Sequence, residues 1–252
     1  MIRPLTCQWM RFWRGMVACV LLLAAISLFA CQSQQPWYSH LKQQGPIMTP
    51  KKTGVVVVLG AGGAKGLAHL GVLRALEEAH IPIDHFVGTS VGSMIAALYA
   101  DYPHAAELAH YFMTLRRPDV IQYTLLNPTE GLVSNIHFQS FLTEHMHAKV
   151  FSELKIPLWV VTTDFQTGES YLIGHGPIAP AVNASSAIAG VFQPVRLYGR
   201  YLIDGGYTDP IAVDVARKLH PKVVIAVNLT APLSKRMPHN IVSLHLRAEG
   251  IL

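Results

Sequence analysis

Apolar residues in this chain fall into short unbroken runs, and the stretches between several of them have helical spacing. Val55-Val56-Val57-Val58-Leu59 contains no polar position, as expected of a strand covered on both faces in a parallel sheet. From Leu67 to Ala79 the apolar positions are Leu67, Leu70, Leu73, Ala75 and Leu76, the spacing of an amphipathic helix. A second cycle follows, with Phe86-Val87 strand-like and Met94-Ile95-Ala96-Ala97-Leu98-Tyr99 helix-like. Arg200-Tyr201-Leu202-Ile203 and Val223-Val224-Ile225-Ala226-Val227 read as further strands, and Ile241 to Leu246 as one more. This alternation predicts one α/β domain with a mainly parallel sheet, spanning residues 54–252. Residues 103–150 are the least regular part. Their aromatics Tyr111, Phe112, Tyr123, Phe138 and Phe141 fit either helix core, the commoner arrangement, or a lid or acyl pocket.

The N-terminal pattern is different. Arg3, Arg11 and Arg14 precede an uncharged apolar run from Val17 to Ala30, too short for an ordinary membrane span and suited to a secretory signal over residues 1–30. The run ends Leu28-Phe29-Ala30-Cys31, which resembles the lipobox of bacterial lipoproteins. That resemblance implies a lipidated Cys31 and, because Gln32 rather than an aspartate follows it, outer-membrane attachment facing the periplasm. An uncleaved signal anchor is the alternative. Residues 31–53 are polar and carry Pro36, Gly45, Pro46 and Pro50, so they read as a flexible tether.

Composition narrows the function classes. Cys7, Cys19 and Cys31 are all N-terminal, so the domain itself contains no disulfide. The formal charge of +5 falls to +2 when the three signal arginines are removed, so the basic balance does not indicate a nucleic-acid partner. No internal repeat is visible.

Three segments carry candidate chemistry. Gly88-Thr89-Ser90-Val91-Gly92 joins a strand-like to a helix-like stretch, the setting of a nucleophile elbow with Ser90 exposed at a helix N-terminus and Gly88 and Gly92 relieving its crowding. Gly60-Ala61-Gly62-Gly63-Ala64-Lys65-Gly66 follows the first strand and presents backbone N–H groups at a helix start, as an oxyanion hole requires. A dinucleotide loop needs glycine where Lys65 stands, and a P-loop needs glycine where Ala64 stands, so neither nucleotide motif fits. Asp204-Gly205-Gly206 ends a short strand and is an ordinary turn unless it belongs with the other two.

Together, and in this order, the three segments resemble the patatin-like phospholipases, in particular their bacterial serine esterases, over roughly Gly54 to Leu229. Val160 to Asp164, Ala184 to Ile188, Gly190 to Val195 and Val223 to Asn228 are also similar. The resemblance implies a three-layer α/β/α fold with a mainly parallel central sheet. It implies Ser90 as nucleophile, Asp204 as its partner in a dyad, and Gly62, Gly63, Ala64, Lys65 and Gly66 as the oxyanion loop. The implied activity is acyl-ester hydrolysis of phospholipid or lysophospholipid, with no metal or other cofactor and with the membrane as partner through the lipid anchor. Ala189 stands where many relatives have proline, which bears on the stiffness of that loop.

A Ser-Asp-His triad of the α/β-hydrolase kind is the alternative, since His220, His239 and His245 follow Asp204. A non-catalytic binding lipoprotein on the same fold is another. His145, Met146 and His147 with Glu144 read as a solvated face rather than a metal site, and the other histidines receive no role. The short remainder after Asp204 leaves room for a partner or dimer contact that completes the fold.

Overall fold

Strand β1 (Val55–Leu59) is buried from Val56 onward, as its all-apolar sequence requires, and it starts the layered architecture. The computed structural model describes residues 37–43, 45, 47, 54–114, 122–123 and 133–229. The expected signal over 1–30, Cys31, His239, His245 and the strand at 241–246 lie outside the described residues.

After β1 come helix α1 (Leu67–Glu78), strand β2 (His85–Thr89), helix α2 (Val91–Asp101) and helix α3 (Ala105–Thr114). A two-stranded ribbon, β3 (Gln122–Tyr123) with β4 (Val133–Ser134), leads into helix α4 (Asn135–His145). Strands β5 (Leu158–Asp164) and β6 (Ser170–Ile173), helix α5 (Ile178–Ser185), and strands β7 (Val195–Leu197) and β8 (Arg200–Asp204) follow. Helix α6 (Val213–Arg217) and strand β9 (Val223–Val227) complete the described elements. The main sheet runs β7-β8-β5-β2-β1-β9, with β6 also on β5. β9, β1, β2 and β5 are mutually parallel, and β6, β8 and β7 join through antiparallel pairs.

One detail of the register positions the site. β6 pairs with residues 160–163 of β5, while β2 pairs with residues 158–161 and β8 with residues 162–164. A strand has only two edges, so β2 and β8 lie end to end on the edge opposite β6. β2 ends where Thr89 pairs with Val161, and β8 arrives at the next residue, where Asp204 pairs with Thr162.

Side chains alternate across the sheet. Val57, Leu59, Phe86, Leu158 and Val160 pack with residues of α1, α2 and α5 on one face. Val56, Val58, Val87, Trp159 and Val161 pack with Ala212, Val215, Ala216 and Leu219 around α6 on the other. This is the expected three-layer arrangement.

Two expectations change, for α1 and for the tether, and the commoner reading of the irregular section's aromatics holds where they are described. Helix α1 buries His69, Leu70, Leu73 and Leu76, whereas Leu67 is 48% exposed and Ala75 is exposed. The helix is thus rotated from the stripe read in the sequence, and a histidine joins the core. The aromatics of the irregular section that can be placed are helix core: Tyr111 stacks on Phe141, which is buried, and Phe112 and Phe138 pack against the same cluster. The expected tether over 31–53 is, where described, docked chain. Tyr38 is buried in the main core with Leu41 beside it, and Ile47 packs with Trp159 and Leu172. The compact unit starts at Tyr38 rather than Gly54. Tyr38, Leu41 and Ile47 are apolar positions among prolines and polar residues, and average composition concealed them.

Candidate active site

The shared edge of β5 brings the strand carrying Ser90 against the strand carrying Asp204. Ser90 Oγ donates to Asp204 Oδ2 at 2.6 Å, and both residues are buried. Asp204 Oδ1 accepts the Gly206 N–H at 2.7 Å, so the second carboxylate oxygen is fixed by the turn that follows it. Asp204 N–H donates to Ala187 O, and Thr163 Oγ1 donates to Asp204 O. The aspartate is therefore held at its backbone and at both carboxylate oxygens.

Ser90 has φ 55° and ψ −127°, a left-handed conformation that a non-glycine residue adopts at a cost of about 1–3 kcal/mol. Strand β2 turns there directly into α2, whose first N–H groups open beside the hydroxyl. The turn is tight enough to exclude side chains on either side. A Cβ on Gly92 would lie 2.0 Å from Leu59 O, and one on Gly88 would lie 2.5 Å from Ser93 Cα. The Ser90 N–H donates to Ser185 Oγ at 2.9 Å, and Ser185 Oγ donates to Val161 O at 2.6 Å.

The glycine loop meets the same elbow. A Cβ on Gly66 would come 2.1 Å from Val91 Cγ2. Gly60 N–H donates to Val227 O and Ala61 N–H to Pro210 O, which anchors the start of the loop to β9 and to the segment after Asp204. That segment also accepts the Thr89 hydroxyl through Asp209 O, so the chain from Asp204 to Pro210 touches all three motifs. Gly63 has φ 52° and turns the loop into α1. Lys65, expected among the loop donors, spends its N–H on Gly62 O and directs its ammonium to Leu229 O at 3.2 Å. Gly62, Gly63, Ala64 and Gly66 are the other expected donors.

His69 received no role from the sequence. Its Nε2 lies 2.8 Å from Gly60 O, and since a carbonyl only accepts, Nε2 carries the proton. Burial pushes its pKa below the usual imidazole value, against the hydrogen bond to Gly60, which raises it. A neutral ring thus holds the first residue of the loop. Its signal in the sequence was a histidine one position before Leu70, on a helix otherwise packed through leucines. Asp164 was noted only as part of a similar stretch. Burial raises its pKa, yet the Arg200 guanidinium and the N–H groups of Gln166 and Thr167 outweigh this and hold it below the usual carboxylate value.

Of the histidines expected to compete for a triad, His239 and His245 lie outside the described residues, and His220 is not placed between Ser90 and Asp204. The direct 2.6 Å contact leaves no space for an imidazole, and His220 is an exposed residue with φ 49° that follows α6. His145 Nδ1 faces Phe141 O at 2.8 Å and its ring stacks on Phe141, while His147 is largely exposed. No group of three or more metal-ligating side chains occurs among the described residues.

Residues 57–217 match the family model for patatin-like phospholipase. The chain is 34% identical over 184 residues to mouse patatin-like phospholipase domain-containing protein 6, covering 69% of this chain and 13% of that protein. It is 33% identical over 200 residues to a Caenorhabditis elegans patatin-like phospholipase domain-containing protein, covering 76% of this chain and 14% of the relative. An uncharacterized NTE family protein of Mycobacterium tuberculosis is 32% identical over 178 residues, 69% of this chain and 49% of that one. The match therefore spans from about an eighth to half the length of these relatives. Among solved structures, VipD from Legionella pneumophila aligns over 62% of this chain and 46% of its own, with TM-score 0.46 and 15% identity. The match to the family model runs from β1 through α6 and takes in Ser90, Asp204 and the glycine loop, and the chain belongs to the patatin-like phospholipase family.

Proposed function

We propose that the protein is a serine acyl-ester hydrolase of the phospholipase A or lysophospholipase type, working through a Ser90–Asp204 dyad. The observation that carries this reading is the 2.6 Å hydrogen bond from a serine in a strained strand-to-helix turn to a carboxylate fixed at both oxygens.

In the proposed reaction Asp204 takes the Ser90 proton as Oγ attacks the ester carbonyl. The resulting oxyanion is held by N–H groups of the loop from Gly62 to Gly66, where the Lys65 N–H is already spent on Gly62 O, together with those at the start of α2. Collapse expels the alcohol portion of the lipid, which receives the proton from Asp204, and leaves the acyl group on Ser90. Water then attacks the acyl-enzyme, giving its proton to Asp204, and release of the fatty acid restores the Ser90 hydroxyl. Carboxylate is a weaker base than imidazole, so tight placement against the hydroxyl and the oxyanion donors supply most of the acceleration. Lipid as substrate is supported by family membership and by the phospholipase names of the relatives.

A fluorophosphonate probe tests the reading. Wild type is expected to be labelled and to cleave phospholipid or lysophospholipid, whereas Ser90→Ala is not labelled and Asp204→Asn loses about a thousandfold or more in kcat. A folded wild type that neither labels nor cleaves would leave the binding-lipoprotein alternative. Retained activity in Asp204→Asn, lost on substitution of His220, His239 or His245, would restore the triad.

We also propose attachment at Cys31 to the periplasmic face of the outer membrane, on the strength of Leu28-Phe29-Ala30-Cys31. Cells fed a fatty-acid probe should label the wild type and not Cys31→Ala. Equal labelling of the two would end the lipoprotein reading.

A further inference from the structure

Ser185, the last residue of α5, is fully buried, and its hydroxyl sits between the Ser90 N–H and the Val161 carbonyl. A hydroxyl has one proton, and Val161 O can only accept. Ser185 therefore donates to Val161 and must face Ser90 as an acceptor. The location gives this arrangement its meaning. Thr89 and Val161 are the last register pair before β2 leaves β5, so Ser90 is the first residue without a ladder partner. The hydroxyl bridges that opening as an ordered water would, but it is covalently fixed to a packed helix.

We infer that Ser185 is a positioning residue for the proposed nucleophile: its hydroxyl holds Ser90 in the left-handed conformation that aims Oγ at Asp204. The inference rests on the hydrolase reading for its catalytic consequence, and on the hydrogen bonds alone for its structural one. The N–H engaged by Ser185 is also unavailable to an oxyanion, which leaves that task to the glycine loop and the start of α2.

Removing the acceptor strands a buried N–H beside a strained residue, and the elbow can relieve both by relaxing its φ. The test compares wild type, Ser185→Ala and Ser185→Thr in the full chain. The readouts are amide hydrogen exchange and carbon chemical shifts at Ser90, together with the fluorophosphonate labelling rate, kcat and KM. In Ser185→Ala the Ser90 amide is expected to exchange at least about tenfold faster than in wild type, with its shifts moving away from left-handed values. Labelling and kcat are expected to fall about tenfold to a hundredfold with KM nearly unchanged, and Ser185→Thr to recover most of the loss. Unchanged exchange and shifts at Ser90 would overturn the proposal. So would a Ser185→Ala protein that melts earlier yet labels at the wild-type rate, because the hydroxyl would then serve packing alone. If Ser185→Thr is too large to fold, the Ser90 exchange and shifts in Ser185→Ala decide alone. A wild type without labelling, in which Ser185→Ala still loosens Ser90, would refute the hydrolase reading and leave the positioning role standing.

Discussion

In the proposed dyad, a carboxylate that takes a proton from a serine directly has a narrow geometric tolerance, and individual residues around Ser90 set it. Gly92 is the least replaceable of them. A methyl group there would meet Leu59 O at 2.0 Å, and that atom is backbone at the end of a central strand, so it cannot rotate away. Gly92→Ala is expected either to prevent folding or to cost more than about 3 kcal/mol, with labelling of Ser90 lost, as urea denaturation and the probe would report together. The glycines on either side of Ser90 were legible in the sequence because the G-x-S-x-G spacing is itself a record of this crowding. Ser185 and Thr163 were quoted only within similar stretches. Their parts are long-range, one hydroxyl meeting Ser90 and the other Asp204 O, and no local pattern encodes such contacts.

At the scale of elements, the strand pair β2–β5 contains a buried titratable group that the site does not use. His85 opens β2, is fully buried, and meets Trp159 of β5 edge to face at 5.1 Å between ring centroids. Neither of its ring nitrogens has a hydrogen-bond partner, and burial lowers its pKa to about 4 from 6.5. The unfolded chain therefore takes up a proton near pH 6.5 and the folded chain only near pH 4. Between those values the unfolded state carries more protons, so stability is full above pH 6.5 and declines as the pH falls through 4. The loss is on the order of 3 kcal/mol, and His69, shifted in the same direction, adds to it. His85→Phe is expected to flatten much of this acid limb when urea denaturation is followed from pH 7 to pH 4. An unchanged limb would place the sensitivity elsewhere. The same elements show where reading by period succeeds and fails. β1 was recognisable because an unbroken apolar run buried on both faces resembles little else, and β9 because it repeats that run, although it lies half-exposed at the sheet edge. The buried stripe of α1 was misplaced because Leu67 looks like core by composition, while the glycine loop it closes leaves it exposed and turns His69 inward toward Gly60 O.

The whole molecule begins earlier than its motifs do. The order of the three motifs made the family legible, but the first docked residues were hidden in a segment whose prolines and polar residues suggested free chain. Tyr38 is buried deeply enough that its hydroxyl is pushed up to about 12. Tyr38→Ala is expected to destabilise the protein by about 3 kcal/mol, and a chain started at Gly54 should melt several degrees below one started at Tyr38. Equal melting temperatures would show that the arm contributes nothing to stability. The docked arm also changes what the proposed lipid on Cys31 does. A tether free to residue 53 would let the domain wander about 75 Å from its anchor, whereas the chain from Cys31 to Tyr38 spans at most about 25 Å when fully extended. On so short a leash, the search of the proposed hydrolase for a substrate would become nearly two-dimensional, confined to lipids of the leaflet that held it.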